Sequence, residues 1–224
     1  MENAENAAGQ RLVIDIISDV VCPWCYIGKH HLEMALERLS SEQPGVSVAM
    51  HWMPYFLNPE TPPEGDPYRP FLEKKFGGAE RLAAIWARVS EAGKSAGLEL
   101  AFDKIKLRAN TLNAHRLIHR FQLRGDADAL VERLFSAHFQ QGLHISDPLV
   151  LAEIAAACGD DRAAVLAYLA STEGSSEVLA QARQAQESGI SGVPFFIFNG
   201  CQALSGAQPP EVMLEVMQQV LAQG

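Results

Sequence analysis

Hydrophobic positions change their period several times along this chain. Leu12-Val13-Ile14-Asp15-Ile16-Ile17 is a β-branched run, and it predicts a strand over about Leu12–Ser18. From Trp24 the period turns helical, with Trp24, Ile27, Leu32, Ala35 and Leu39 at helical spacing and a stop at Gln43-Pro44-Gly45. Val46, Val48, Met50 and Trp52 then alternate with Ser47, Ala49 and His51, the pattern of a half-buried strand. The opening segment therefore reads β-α-β, and so short a crossover implies a parallel pair.

The texture then changes. Phe56-Leu57-Asn58-Pro59-Glu60-Thr61-Pro62-Pro63-Glu64-Gly65 is too rich in proline for regular structure. From about Pro67 to Ser188 the pattern is helical, with Gly97, Gly125, Gly142, Gly159 and Gly189 as helix ends and Asn110, Asp126 and Asp147 as N-caps. Pro148 suits a first helical turn. Five to seven helices are expected here. Beyond Gly189 the β pattern returns: Val193–Phe198 is a strand, Asn199-Gly200 a hairpin turn and Cys201–Ser205 a second strand. A last amphipathic helix starts near Pro209-Pro210, with Val212, Met213, Val216, Val220 and Leu221 as its apolar stripe.

The order β-α-β, helices, β-β-α specifies an α/β protein: a thioredoxin fold, residues 11–60 plus 189–224, carrying an all-helical insertion over 61–188. A length of 224 residues, 48% hydrophobic and 20% charged, suits such a globular chain. The net charge of −9 argues against a nucleic-acid partner. Residues 1–10 read as an unstructured leader, acidic and polar, without the basic and apolar regions of a secretory signal, and no apolar run reaches membrane-spanning length. A cytoplasmic location is the expectation. The four cysteines, Cys22, Cys25, Cys158 and Cys201, are too few for a disulfide framework.

The chemistry concentrates at Cys22-Pro23-Trp24-Cys25. A strand that delivers two thiols, two residues apart, to a helix N-terminus places the first sulfur where the helix dipole favours a thiolate, the nucleophile of thiol–disulfide exchange. Cys22 is expected at the exposed lip of the helix and Cys25 one turn further in, able to resolve a mixed disulfide. Pro23 stiffens the turn and Trp24 offers an aromatic surface to substrate. A zinc site would need four ligands. His30 and His31 are adjacent on a helix and cannot both face the cysteines, so no metal is expected.

Together with Gly192-Val193-Pro194 before the hairpin, this motif resembles the DsbA-like branch of the thioredoxin superfamily. The strings Asp19–Lys29, Asn110–Arg116 and Ser205–Gln208 resemble its FrnE-type subgroup, which implies dithiol–disulfide oxidoreductase or isomerase activity. The resemblance further implies a cis Val193–Pro194 bond beside the sulfurs, with Val193 pairing to bound peptide like an added strand. Trp24 stands where strongly oxidising members carry a histidine, so a potential of roughly −200 to −270 mV is expected.

Three further residues are candidates for supporting parts. Asp15 is either a buried proton acceptor for Cys25 or a partly solvated edge residue. Asn110 is either an N-cap or part of a cleft over Cys22, where Arg108 and Arg116 would meet a carboxylate such as that of glutathione. Cys201 is either a buried small residue, the favoured reading, or a peripheral thiol. Cys158 is expected in the core, Asp19 in a local turn, and His138 as a hydrogen-bonded core histidine.

The leading function is thiol–disulfide exchange on protein or peptide substrates, with no cofactor beyond the redox-active disulfide and with glutathione or a thioredoxin-type protein as reductant. A glutathione-dependent isomerase or transferase of the kappa type is the alternative, though such enzymes replace the first cysteine. A non-enzymatic binding module is the third reading.

Overall fold

The structure is a computed structural model, and residues 9–223 are described. The leader reading falls mostly on residues 1–8, outside that range. Gln10, at its end, is held: its side chain donates to the Leu221 carbonyl at 2.9 Å and its own carbonyl accepts from Ser47 N.

The β-branched run forms β1 (Arg11–Ser18), and the helical repeat after it forms α1 (Pro23–Glu42). β2 (Ser47–Pro54) runs parallel to β1, with Arg11 opposite Ser47. β5 (Phe195–Phe198) pairs antiparallel with β1, and β6 (Gln202–Ser205) antiparallel with β5. The sheet order is β2-β1-β5-β6. Positive φ at Asn199 and Gly200 turns the β5–β6 hairpin, the conformation that Asn-Gly adopts readily. β2 is an edge strand, so the alternation expected of it holds only toward its end: Trp52 is buried while Val48 is exposed. α9 (Pro210–Gln223) packs on α1 and on β1, β5 and β6.

The middle of the chain folds into seven α-helices: α2 (Tyr68–Phe76), α3 (Ala79–Ser95), α4 (Leu112–Gln122), α5 (Asp128–Phe139), α6 (Pro148–Ala156), α7 (Arg162–Ala170) and α8 (Ser175–Glu187). Asp147 caps α6, accepting from Leu149 N, with Pro148 in the first turn as expected. The other two expected caps sit one residue early. Thr111 and Ala127 are the N-cap positions, and Asn110 and Asp126 instead accept from Leu112 N and Asp128 N. A two-residue ladder, β3 (Asp66–Pro67) with β4 (Leu107–Arg108), is too short to leave a period in the sequence.

The insertion does not stand apart from the sheet. α4 and α8 touch β2, and α3 and α5 touch α1. One buried apolar cluster runs from Leu12 and Leu39 through Tyr26 and Phe135 to Val165. Tyr26 on α1 stacks on Phe135 of α5, with ring centroids 5.0 Å apart.

Candidate functional site

Cys22 is the N-cap of α1. Its carbonyl accepts from Cys25 N at 3.0 Å and Tyr26 N at 3.3 Å, and Asp19 closes the preceding turn by accepting from Cys22 N. Pro23 occupies the first helical turn. The two thiols are free and within hydrogen-bonding reach of one another. Cys22 does not stand on an exposed lip: 5% of its surface is open against 1% for Cys25, because Val21, Pro23, Trp24 and Val193 rise around it, half-buried.

The Val193–Pro194 bond is cis, and the Val193 carbonyl accepts from Cys22 Sγ at 3.6 Å. This close approach has a cause in α1. At Gly28 a Cβ would stand 3.0 Å from Pro194 Cγ and 3.2 Å from the Phe196 ring, so the absence of a side chain there leaves room for the proline turn against the helix.

Burial pushes the Cys25 thiol far up from its ordinary value, and the neighbouring Cys22 sulfur adds to the effect. The Ser18 hydroxyl and the Asp19 N–H, both directed at the Cys25 sulfur, oppose it. Tyr68, at the start of the insertion, also lies beside the pair: burial and the Cys22 charge both raise its hydroxyl.

The other candidates fall in different places. Asp15 is not buried beside Cys25. It is half-exposed on β1 and 3.0 Å from the His51 ring across the ladder, since its side chain leaves the face that buries Ile14 and Ile16. Asn110 stitches three segments together, donating to Thr61 O and Ser146 Oγ as well as accepting from Leu112 N. With Phe56, Pro59 and Leu179 it borders a small cleft of about 110 Å³. Arg108 is held by Asp66 and lies 3.7 Å above the Phe71 ring, and Arg116 is buried on the carbonyls of Tyr168, Leu169, Ser171 and Glu173. Neither is free for a ligand carboxylate.

Cys201 is exposed in the hairpin turn, which corrects the buried reading, because the turn residues of a two-strand edge have nothing packed over them. Cys158 is half-buried at the end of α6, with its thiol raised by burial. His138 is buried, but neither ring nitrogen has a hydrogen-bond partner. Burial lowers it to about 4.

Two features went unread in the sequence. Asp19 is 1% exposed, a buried carboxylate rather than a simple turn residue. Its Oδ2 accepts from Leu57 N at 2.8 Å, and its Oδ1 faces His115 Nε2 at 3.4 Å. Lys29, also 1% exposed, lies one turn beyond Cys25 and meets Glu33, Glu132 at 3.0 Å and Asp128 at 3.4 Å. His30, Glu33 and Glu132 cluster closely enough to suit a metal ion, but the Lys29 ammonium already makes ion pairs with both carboxylates.

The family model of the DSBA-like thioredoxin domain matches residues 13–218. The chain belongs to the DsbA-like thioredoxin family. It is similar to the uncharacterized protein YwbO of Bacillus subtilis, 28% identical over 89% of this chain and 92% of that one. Among solved structures it is similar to a probable DsbA oxidoreductase from Streptomyces coelicolor, at 30% identity and a TM-score of 0.85, covering 95% of this chain and 91% of that one. The cytosolic disulfide reductase DsbM of Pseudomonas aeruginosa, solved with GSH, shares the fold at 19% identity and a TM-score of 0.58, covering 94% of this chain and 96% of that one. Membership of the DsbA-like family and the likeness to the Streptomyces coelicolor protein support thiol–disulfide oxidoreduction as the general class of activity. Among the described residues no helix is long and apolar enough to cross a membrane.

Proposed function

We propose that this DsbA-like protein exchanges disulfides with protein or peptide substrates through Cys22 and Cys25. The observation that carries the reading is the pairing of two free thiols of unequal character at the N-terminus of α1, under the carbonyl of Val193.

The Cys22 thiolate, at the positive end of the helix dipole, attacks one sulfur of a substrate disulfide. The substrate S–S bond breaks, one substrate sulfur leaves as a thiolate and the other joins Cys22. Cys25, held as a thiol by burial until then, loses its proton and attacks Cys22 Sγ. A Cys22–Cys25 disulfide forms and the second substrate thiolate departs. Glutathione or a thioredoxin-type protein returns the two electrons. Pro23, Trp24, Val193 and Pro194 form the rim on which a substrate strand would lie, with Val193 pairing to its backbone. DsbM is a cytosolic disulfide reductase and was solved with GSH, which favours glutathione as reductant and a cytoplasmic site of action for this chain.

Insulin reduction in the presence of glutathione or a thioredoxin system tests the proposal. Cys22→Ser should abolish turnover, and Cys25→Ser should accumulate a mixed disulfide on Cys22 visible by intact-mass spectrometry. Turnover that survives Cys22→Ser would sink the dithiol reading and favour a glutathione-dependent isomerase or transferase. A chain with no thiol turnover at all would be a binding module.

A further inference from the structure

Two sequence strings far apart in the chain meet beneath the cysteines. Asp19, three residues before Cys22, and His115, in the first turn of α4, face each other 3.4 Å apart with both side chains sealed from solvent. Asp19 Oδ1 and His115 Nε2 have no other hydrogen-bond partner, and a buried polar atom left so demands a reason. The Asp19 main-chain N–H points at the Cys25 sulfur, so the couple adjoins the thiol that must lose a proton. Asp15, the other acid considered for that task, is tied to His51 and half-exposed.

We propose that Asp19 and His115 are a buried proton-holding couple that serves Cys25, with the histidine supplied by the helical insertion rather than by the thioredoxin core. When Cys25 attacks the mixed disulfide, its proton passes to the couple. The Cys22–Cys25 bond forms, the bond from Cys22 to the substrate sulfur breaks, and the electron pair leaves with the substrate thiolate. A proton placed between Oδ1 and Nε2 would join two atoms that otherwise lack a hydrogen bond. When the disulfide is reduced the proton returns. The remaining titratable groups around the couple and the thiols are His138, which feels Asp19 and His144, and Tyr68, which feels Cys22. This inference rests on the resolving step of the proposed function.

The test follows release of glutathione from a preformed Cys22–glutathione mixed disulfide across pH 5.5–9.5, by stopped flow. Asp19→Asn keeps the size of the side chain and an acceptor for Leu57 N, and His115→Gln keeps a polar group of similar reach. Both should slow release at pH 6–7 by about a hundredfold, the lower end of acid–base contributions, and the deficit should shrink as pH rises toward 9.5, where hydroxide takes the Cys25 proton in place of the couple. Asp19→Glu should restore part of the neutral-pH rate. Formation of the mixed disulfide in a Cys25→Ser background, measured with and without Asp19→Asn, should not change. Loss of that first step in Cys25→Ser itself would break the proposed function. With the first step intact, a wild-type release rate, or a slowing equal at every pH, would overturn the couple. If Asp19→Asn does not fold, His115→Gln alone decides by the same criteria.

Discussion

His30, half-buried on α1, and His138, buried on α5, have surroundings that drive them in opposite directions. His30 sits on α1 with Nδ1 3.1 Å from the carbonyl of Ala96, at the C-terminus of α3, and Nε2 3.5 Å from Glu132 of α5. Burial alone would lower it, but Glu132 and the charge of Glu33 outweigh burial and raise it. Both nitrogens face acceptors, an arrangement that only the imidazolium satisfies fully. His138 lies on α5 against the rings of Tyr68 and Phe139, where burial outweighs the Leu143 backbone and the charge of Asp19 and holds it neutral.

The first region is a clamp. Lys29, His30, Glu33, Asp128 and Glu132 tie the insertion to α1, and Tyr26 donates to Glu132 Oε1 at 2.7 Å. Burial would raise Glu132, but His30, Lys29 and Tyr26 bring it down to about 2. The second region, Asp19, His115 and His138, leaves polar atoms unpaired next to the thiols. Unpaired atoms occur in both regions, His30 Nε2, Asp128 Oδ1 and Glu132 Oε2 among them at the joint. The difference lies in charge: at the joint a lysine and a histidine stand within ion-pair distance of the carboxylates, whereas beside the thiols His138 is left neutral.

The sharpest break would be Lys29→Met, which strips the cation from three carboxylates. Because those carboxylates are partly exposed, a loss of about 3 kcal/mol is expected, the lower end for a broken buried pair, read from urea unfolding. Gly28→Ala, on a third face of α1, should cost about 2 kcal/mol and reduce disulfide exchange, since the added methyl must push the Pro194 turn away from Cys22. Tyr26→Phe leaves a charged acceptor short of a donor and should cost about 1.5 kcal/mol in the same melt.

His138→Leu removes two unpaired nitrogens, so stability should stay level or rise by about 1 kcal/mol, the sign opposite to the clamp mutants. A loss above about 2 kcal/mol would show that His138 is paired after all. The smallest effects are pH slopes. His30 is raised in the folded state, so its contribution is complete below its unfolded value near pH 6.5 and fades as pH climbs through the raised folded value. His138 is depressed, so its contribution is complete above about pH 6.5 and is lost as pH falls toward about 4. His30→Gln should flatten the alkaline limb of stability against pH, and His138→Leu the acid limb.

Local patterns carried most of this into the sequence. Cys22-Pro23-Trp24-Cys25, Val193-Pro194 and the Asn199-Gly200 turn are signals within a few residues, and the strands and helices around them fall close to their expected limits. What stayed hidden depends on distant partners. Lys29 looks like a solvated position until Asp128 and Glu132, about a hundred residues later, close over it. A clue was present, because Lys29 shares the helix face of Cys25 and Leu32. Asp19 and His115 are likewise joined only by folding. The exposure of Cys201 and the short β3–β4 ladder follow from edges and contacts that no period records.

The proline-rich stretch after β2 looks by composition like a linker that a protease would cut. In the folded chain Leu57 N is fastened to Asp19, Asn58 to Lys75, the Thr61 carbonyl to Asn110 and the Glu64 carbonyl to His144. Those rivets come from four separate places in the sequence, so the segment is stiff without being regular, and limited digestion of the native protein should leave it whole.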